Sequence, residues 1–365
     1  MSTTPSDLDA GRVAQTFSHY GSRYDWPNAT KIGAGGFGAV WRVRDTWLGH
    51  EVAVKISNQS LVDEVRMCRE IDGQTVRIYD YLRGTGAWNA FSMELLDGHW
   101  MTLQAYIRKH CYKKNDLQHY LDCLEIIRDV LRGLTEIHGQ AYARTNRFVH
   151  ADIKPQNLIV GITPKKSKTS AFRMSRNGPI IKIIDLGVAV DQGLYPAGFT
   201  PSYAYPKDVP ARSGHDLYSV AVMLLQMLTK DLPDHNVMEH NARIRKSIAK
   251  RSSGSKFLDA VATEFVRLCA RAATQVITAR SLLDHLNDEL FTLDAPYLIA
   301  IRSINRNTAA ALKKSELAGL IFGDLAPLYG WRNRSKNRLA VLADLIDDMY
   351  GREMLIRTGQ KYYVR

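Results

Sequence analysis

The 365-residue sequence contains only four cysteines and no long apolar run. The cysteines have neither the close pairing of a metal site nor the density of a disulfide framework. No stretch of about eighteen uncharged apolar residues occurs, and the N-terminal segment lacks the basic start and apolar core of a secretion signal. We therefore expect a cytoplasmic protein with reduced cysteines and no membrane anchor.

Acidic residues are fewer than basic ones, with 37 Asp and Glu against 49 Lys and Arg, which gives a net charge of +12. Such a field attracts polyanions. The basic residues are spread over several segments, so charge alone does not separate a nucleic-acid partner from nucleotide or acidic peptide. The apolar share of 45% is typical of globular proteins, and the length allows a two-lobed domain with a small addition, or two ordinary domains.

A glycine-rich stretch near the N-terminus predicts a phosphate-binding turn. Gly33, Gly35 and Gly38 lie between β-rich flanks, and a third predicted strand carries Lys55. Only a backbone without Cβ atoms folds closely over a triphosphate and offers its N–H groups. The same glycine spacing also occurs in dinucleotide-binding folds, where a helix follows it, whereas here a strand follows.

A short loop, His150 to Asn157, combines an acid, a base and an amide. Phosphoryl transfer needs a carboxylate that orients the attacking hydroxyl, a cation near the moving phosphate and an oxygen ligand for magnesium. Asp152, Lys154 and Asn157 supply one candidate each. The loop therefore predicts a phosphotransferase.

These motifs, in this order, resemble those of eukaryotic-like Ser/Thr protein kinases. The loop at His150 resembles H-R-D-L-K-P-E-N, Asp185-Leu186-Gly187 resembles D-F-G, and Asp216 begins a stretch similar to D-x-W-S-x-G. The resemblance implies an α+β, bilobal kinase fold over residues 29–290. A small β-rich lobe would occupy about residues 29–96, a larger helical lobe would occupy about 97–290, and ATP would bind between them.

The resemblance also implies a role for each site residue. Asp152 would orient the substrate hydroxyl and accept its proton, and Lys154 would neutralise charge on the moving phosphoryl group. Lys55 would hold the α- and β-phosphates, positioned by Glu64 on the next helix, with Glu70 as the reserve partner. The implied ATP-binding residues are Gly33, Gly35, Gly38, Val40, Ala53, Lys55, Met93, Glu94, Leu96 and Ile159; Asn157 and Asp185 would bind Mg²⁺ or Mn²⁺; and His150, Asp216 and Leu186 would support the site.

Leu186 replaces the phenylalanine of D-F-G, and two further positions depart from the kinase pattern. Ala151 stands in place of the arginine of the catalytic loop, and Lys207 replaces the last glutamate of A-P-E. In kinases with the arginine, a phosphate on the activation segment compensates its charge. We therefore expect activity that is independent of this phosphate. A small residue at position 151 also occurs in small-molecule phosphotransferases, which are one alternative; a catalytically weak ATP-binding scaffold is another.

Three segments lie outside the kinase pattern. Residues 1–28 are predicted to form an N-terminal packing extension. Residues 163–179 are an insertion rich in Lys, Arg, Ser and Thr, and we expect a surface hairpin whose hydroxyls the protein itself could phosphorylate, alongside other protein substrates. Residues 291–365 are predicted to form a C-terminal helical and β-hairpin module.

The C-terminal module is predicted from helices at Ile299–Ile321 and Leu339–Met349 and from a hairpin around Thr358-Gly359. Helices followed by a hairpin suggest a winged-helix-like fold. A basic stretch in the module has the composition of a phosphate-contacting surface, which makes nucleic acid a candidate partner. A packing or protein-docking module is the alternative. The stretch consists of Trp331, Arg332, Arg334, Lys336 and Arg338.

Overall fold

The computed structural model describes most of the chain, in segments that form two compact units, one ending at Asp284 and the other beginning at His285. The insertion at 163–179, Cys111, Trp331 and Arg332 lie outside the described residues. The described residues are 5–35, 38–71, 73–109, 117–139, 148–161, 180–251, 256–287, 300, 303–304, 311–326, 333–351 and 355–364.

A five-stranded antiparallel sheet with the order β1-β2-β3-β5-β4 forms the smaller lobe of the first unit. Side chains alternate between the two faces of each strand, so one face packs into a core that includes Trp41, Val43 and Val52. Helix α2 follows the third strand. These elements are β1 (Thr30–Gly35), β2 (Gly38–Asp45), β3 (His50–Ser57), α2 (Val62–Glu70), β4 (Ile78–Arg83) and β5 (Asn89–Met93).

The N-terminal segment covers the outer face of this sheet. Helix α1 (Ala10–Thr16) begins after Asp9, whose carboxylate accepts the N–H of Arg12 at 2.8 Å and so caps the helix. Val13, Phe17 and Trp26 are buried in the same apolar cluster as the strands. The segment is thus part of the core of the lobe.

The larger lobe is built around helix α5, which is buried along almost its whole length because Leu, Val and Met occupy most of its positions. Helices α4 and α8 pack on it. No helix among the described residues is long and apolar enough to cross a membrane. The helices are α3 (Leu103–Lys109), α4 (Leu117–Ile137), α5 (Ser213–Thr229), α6 (His235–Glu239), α7 (Asn241–Ala249), α8 (Lys256–Arg271) and α9, described over 279–287.

Two small sheets lie on the side of the larger lobe that carries the polar loop. One has the order β6-β8-β9 and the other pairs β10 with β7. Residue Ile183 forms a bridge to Thr75, which connects the first of these sheets to the chain between α2 and β4. The strands are β6 (Trp100–Thr102), β7 (Phe148–Val149), β8 (Leu158–Gly161), β9 (Ile180–Ile183) and β10 (Val190–Asp191).

The second unit has its own apolar core, which includes Leu317, Ile321, Leu342 and Ile346. The single helix predicted over Ile299–Ile321 is wrong, because a short strand interrupts it and pairs with the terminal hairpin in the order β11-β13-β12. A two-residue strand has no periodicity that sequence inspection could detect. The elements are β11 (Leu312–Lys313), α10 (Lys314–Leu325), α11 (Lys336–Gly351), β12 (Leu355–Thr358) and β13 (Lys361–Val364).

Candidate active site

One face of the five-stranded sheet carries four of the predicted ATP-binding residues. Val40 lies opposite Lys55 in the β2–β3 pair, and Ala53 lies opposite Met93 in the β3–β5 pair. Cross-strand partners share a face, and residues two apart on a strand do so as well. The register therefore brings Val40, Ala53, Lys55 and Met93 onto the face opposite the Trp41 core.

The glycine turn lies at the end of this face, between β1 and β2. A Cβ atom at Gly38 would lie 2.7 Å from the carbonyl oxygen of Ile56, a distance that no side chain tolerates. Gly35 has open space where its Cβ would be. Gly38 is therefore required by packing, whereas Gly33 and Gly35 leave the exposed backbone of β1 uncovered by side chains.

Lys55 is buried between two carboxylates. Its Nζ donates to both oxygens of Glu64 at 2.7 and 2.8 Å and to Oδ1 of Asp185 at 2.7 Å. Glu64 is on α2, so this helix is fixed against β3 by the ion pair. Between the two glutamates considered from the sequence, Glu64 is the one that contacts the lysine.

The ammonium of Lys55 and the carboxylate of Asp185 stabilise each other's charge, whereas burial and the nearby Asp185 raise the pKa of Glu64. Burial works against the ammonium of Lys55, but the carboxylates of Glu64 and Asp185 outweigh it and raise the pKa of Lys55. Burial alone would raise the pKa of Asp185, and the ammonium of Lys55 outweighs it, so that this pKa is lowered. Lys55 is therefore a cation and Asp185 an anion across the neutral pH range.

The polar loop places its acid, base and amide in direct contact. Oδ2 of Asp152 accepts from Nζ of Lys154 at 2.7 Å and from Nδ2 of Asn157 at 3.1 Å. Nδ2 of Asn157 also donates to the carbonyl of Asp152 at 2.9 Å. Lys154 donates in addition to Oγ1 of Thr200 at 2.7 Å. The loop is therefore tied to the segment that follows Asp185.

The second carboxylate oxygen of Asp152, Oδ1, is buried and has no hydrogen-bond partner among the described residues. A buried carboxylate oxygen without a partner costs free energy, because water no longer solvates it. Its position beside Lys154 means that a hydroxyl donor arriving there would gain a strong acceptor. This atom is the clearest sign of a ligand position in the loop.

Asp216 supports the loop from below. Its carboxylate accepts the backbone N–H groups of His150 at 2.8 Å and Ala151 at 2.9 Å, and His138 Nε2 at 2.9 Å. Burial would raise the pKa of Asp216, but the hydrogen bond from His138 and the nearby N–H of His150 lower it. His150 itself donates from Nε2 to the carbonyl of Ile184 at 3.1 Å, which joins the loop to the strand before Asp185.

Two site residues other than glycine have left-handed backbone conformations. Ala151 has φ of 65° and Asp185 has φ of 63°. This conformation costs an alanine roughly 1–2 kcal/mol. The hydrogen bond from the backbone N–H of Ala151 to Asp216 holds Ala151 in place, and the ion pair with Lys55 holds Asp185. Strain of this kind persists where surrounding contacts fix the backbone.

The remaining predicted positions lie on β8 or in the segments that follow β5 and β9. The carboxylate of Glu94 pairs with Lys182 and accepts the N–H of Arg77, so its backbone carbonyl is the group left for a nucleotide. Ile159, half-buried on β8, lies opposite Thr102. The other two predicted positions are Leu96, which is partly exposed after β5, and Leu186, which is buried.

The family model for the protein kinase domain matches residues 26–291. The chain belongs to the protein kinase family. The predicted bilobal kinase fold is thereby confirmed. The chain is 26% identical over 225 residues to the probable serine/threonine-protein kinase PknB of Lactococcus lactis, with 56% of this chain and 31% of that kinase covered.

Two eukaryotic relatives have similar identity. The serine/threonine-protein kinase ATG1c of Arabidopsis thaliana is 26% identical over 229 residues, which cover 57% of this chain and 27% of that protein. The calcium/calmodulin-dependent protein kinase type II alpha chain of Drosophila melanogaster is 25% identical over 277 residues, 70% of this chain and 47% of that protein. The chain thus spans less than half the length of these relatives.

Protein kinases use ATP and a divalent metal, and the residues here fit a hard cation. Asn157 uses its Nδ2 within the loop, which leaves its oxygen for a metal, and Asp185 uses only Oδ1 for Lys55. Among the described residues, no hydrogen bond engages Oδ2 of Asp185. Two oxygen ligands with water completing the shell is the coordination that Mg²⁺ prefers.

Sequence reasoning missed two functional contacts of this kinase. His138 directly follows the apolar helix α4, and its hydrogen bond to Asp216 joins residues 78 positions apart in the sequence. Gly214 was not singled out, yet a Cβ there would lie 2.0 Å from the carbonyl of Ala272. No local pattern signals either contact, because both depend on the packing of distant helices.

Proposed function

We propose that this protein is a Ser/Thr protein kinase that transfers the γ-phosphoryl group of ATP to hydroxyls of protein substrates. The observation that carries the proposal is the buried, unpartnered Oδ1 of Asp152, beside Lys154 and Asn157. An acceptor in that position orients a hydroxyl donor for in-line attack.

The transfer step assigns one task to each loop residue. The substrate hydroxyl donates a hydrogen bond to Oδ1 of Asp152 while its oxygen bonds to the γ-phosphorus. The bond between that phosphorus and the β–γ bridging oxygen breaks, ADP leaves, and the hydroxyl proton goes to Asp152. Lys154, at 2.7 Å from the other oxygen of the same carboxylate, offsets the charge that develops on the phosphoryl oxygens.

The nucleotide would be held from both lobes. Lys55, fixed by Glu64, would contact the α- and β-phosphates beneath the backbone of the glycine turn. Magnesium or manganese, held by Asn157 and Asp185, would supply positive charge next to the β- and γ-phosphates. The adenine would lie between Ala53 above and Ile159 below, with the backbone after Met93 offering hydrogen bonds at Glu94 and Leu96.

The contact between Lys154 and Thr200 supports a polypeptide substrate carrying an aliphatic hydroxyl. Thr200 belongs to the segment after Asp185, which is anchored at the β7–β10 pair and at Tyr203, whose hydroxyl donates to Gln226 at 2.9 Å. The segment therefore forms a fixed wall beside Asp152. An extended peptide that lies along such a wall can present a Ser or Thr hydroxyl to Oδ1.

We further propose that activity needs no phosphate on this segment. Ala151 carries no charge that a phosphate would have to neutralise. Backbone hydrogen bonds between Gly193 and Ala211 and between Ala211 and Leu194, each 2.8 Å, hold the segment in the unphosphorylated chain. These neutral contacts support an ordered substrate surface without modification.

Transfer of radiolabel from ATP to a panel of Ser-, Thr- and Tyr-containing peptides tests the chemistry. Asp152→Asn should reduce transfer at least about 1,000-fold, because the amide cannot accept the proton. Mg·ATP should still raise the melting temperature of that variant. Asp284→Asn, which removes an exposed carboxylate paired with Arg280, is the matched control and should retain activity. Undiminished transfer by Asp152→Asn would refute the role of Asp152, and labelling of only small alcohols such as aminoglycosides would indicate a small-molecule phosphotransferase.

Phosphatase treatment tests the second part of the proposal. The treated enzyme, verified by intact mass to carry no phosphate, should keep at least about half of its kcat, since no cation in the loop depends on the phosphate. Ala151→Arg restores that cation and should become sensitive to the same treatment. A loss of most activity in the treated wild-type enzyme would contradict independence from phosphorylation.

A further inference from the structure

The second unit contains a cleft of about 780 Å³ that lies between the start of α10, one side of α11 and the terminal hairpin. This volume lies in the range of roughly 300–1,000 Å³ that is typical of ligand sites. Every described residue that lines the cleft belongs to this unit, and none of these residues belongs to the phosphoryl-transfer site.

The rim of the cleft is basic. Lys313, Lys314, Lys336 and Arg357 line it, and among the lining residues that the structure describes Asp347 is the one carboxylate. Lys314 pairs with Asp347, so those two charges compensate each other. Among the described residues, no carboxylate forms an ion pair with Lys313, Lys336 or Arg357.

A cross-strand pair adds to the excess positive charge. Lys313 lies directly opposite Lys361 in the β11–β13 register. Like charges in this arrangement destabilise a sheet. An anionic group bound at the rim would relieve the repulsion, so the arrangement favours a negatively charged partner.

The floor of the cleft is apolar and made of small side chains. Ala340 and Ala343 lie on one side of α11, and Leu339 and Ala318 lie beside them. Ala340 is exposed and Ala343 is half-exposed. Small residues leave room for an incoming side chain. Because the floor is apolar, it favours an apolar side chain, which is stabilised by burial and needs no hydrogen-bond partner.

A nucleic-acid duplex satisfies the rim but not the floor, because phosphates and sugars gain little from apolar contact. Outside the cleft, the later part of α11 also carries Asp344 and Asp348, which repel a long polyanion that runs along the helix but not a short segment held within the cleft. A protein segment that combines an apolar side chain with flanking carboxylates matches both the rim and the floor.

We propose that this cleft is a docking site for an acidic protein segment with an apolar anchor residue. The anchor side chain occupies the space over Ala340 and Ala343, and the flanking carboxylates contact Lys313, Lys336 and Arg357. The segment is part of the protein substrates, and its docking keeps these substrates bound to the kinase. This last point rests on the kinase activity proposed above.

Selection from a displayed library of random dodecapeptides on the immobilised full chain tests the site without ATP. Enriched peptides should carry at least two carboxylates within a few positions of a Leu, Ile, Phe or Met. The best one, labelled with fluorescein, should bind the double variant Lys336→Glu/Arg357→Glu at least about tenfold more weakly, because three nearby cations become one. Ala340→Trp, which fills the floor without a charge change, should weaken binding by a similar factor.

The matched control is Arg245→Glu/Lys246→Glu, an equal charge reversal at exposed positions of α7 in the first unit, which should leave the affinity unchanged. Circular dichroism checks that each variant is folded. Three results would overturn the proposal: no enriched peptide that depends on the cleft, enriched peptides that are basic, or a 20-base-pair DNA duplex that displaces the peptide and binds tenfold more tightly.

The recruitment of substrates has a separate readout. The selected peptide is fused to a substrate peptide that the wild-type enzyme phosphorylates. The fusion should lower KM at least about fivefold and leave kcat unchanged, because docking raises the effective concentration of the substrate and does not alter the transfer step. The Lys336→Glu/Arg357→Glu variant should lose the KM benefit only. An unchanged KM in the wild-type enzyme would refute recruitment, while the peptide-binding result does not depend on catalysis.

Discussion

The buried ion pair of Lys55 and Glu64 offers the sharpest perturbation of the site, because Glu64→Gln removes the charge and keeps the side-chain size. Nζ of Lys55 lies 2.7 Å from Oε1 of Glu64. At an effective dielectric constant of about 20, this distance corresponds to roughly 6 kcal/mol of attraction. Desolvation of both groups offsets much of it, and leaving one charge of a buried pair alone costs roughly 3–5 kcal/mol.

In the variant, Lys55 keeps a second partner, since Oδ1 of Asp185 is also 2.7 Å away. We therefore expect the free energy of unfolding to fall by only about 1–2 kcal/mol, below the cost of an isolated buried charge. The ammonium is then held by Asp185 alone and moves away from the phosphates. This displacement should lower kcat/KM about 100-fold, equivalent to about 2.7 kcal/mol of transition-state stabilisation.

Urea unfolding and steady-state phosphorylation of a peptide measure the two effects on the same preparation. Asp63→Asn is the matched control, since Asp63 lies next to Glu64 on α2 but is exposed. Its ion pair with Arg66, at 3.5 Å, is on the surface and contributes little to stability. The control should change stability by less than about 0.5 kcal/mol. If Glu64→Gln kept kcat/KM within threefold of wild type, the pair would not position Lys55 for catalysis. A stability loss no smaller than that of Lys55→Met would show that Asp185 does not compensate.

Two further predictions concern the support beneath the loop. Gly214→Ala should destabilise the protein by at least about 3 kcal/mol in urea unfolding, because its Cβ would lie 2.0 Å from the carbonyl of Ala272; a melting temperature within a few degrees of wild type would contradict this. His138→Phe should cost about 1.5–3 kcal/mol at pH 7 by removing a hydrogen bond to the buried carboxylate of Asp216. The folded state lowers the pKa of Asp216, so this stability is present above the unfolded pKa of about 3.9 and is lost as the pH falls through the folded pKa. The urea midpoints of the wild-type protein and the variant should therefore converge below about pH 4. A difference between the midpoints that stays constant with pH would contradict the reasoning.

Short-range rules predicted the strands around the glycine turn, and the resemblance to the kinase family implied which residues bind ATP. The glycines signal the turn by residue type, while the alternation along β3 and the helical spacing around Glu64 are periods that are visible in the sequence. Once Lys55 is placed on β3, alternation puts Ala53 on the same face. The contact of Lys55 with Asp185 spans 130 positions, and only the resemblance to a kinase family predicted that the two meet.

Features that depend on packing were not predictable in the same way. Strand β11 lies inside the segment that was predicted as one helix, because Leu317 and Ile321 have helical spacing and a strand of two residues shows no period of its own. The strand forms only because β13 offers it backbone partners. Local propensity is a weak guide where a two-residue element is stabilised by a distant hairpin.

Lys207, which replaces the last glutamate of A-P-E, lies in the segment after Asp185 beside a stack of aromatic rings. Tyr205 stacks on His215 with ring centroids 5.0 Å apart, and Nζ of Lys207 lies 5.9 Å from the centroid of the Tyr205 ring. Burial lowers the pKa of His215, so the ring is neutral at physiological pH. The segment is therefore anchored to α5 by ring packing, where the family pattern would use an ion pair of a buried glutamate.

An anchor of this kind does not respond to a change of charge elsewhere in the segment. A buried ion pair exchanges partners when a new phosphate or arginine approaches, because the interaction is strong and long-ranged in a low dielectric. Ring stacking and the bond from Tyr203 to Gln226 have no comparable competitor. With Ala151 in place of a cation and Tyr205 stacked on a neutral ring, neither of these two positions carries a charge that a phosphate would have to neutralise, which is the physical reason to expect a segment that is ordered without phosphorylation.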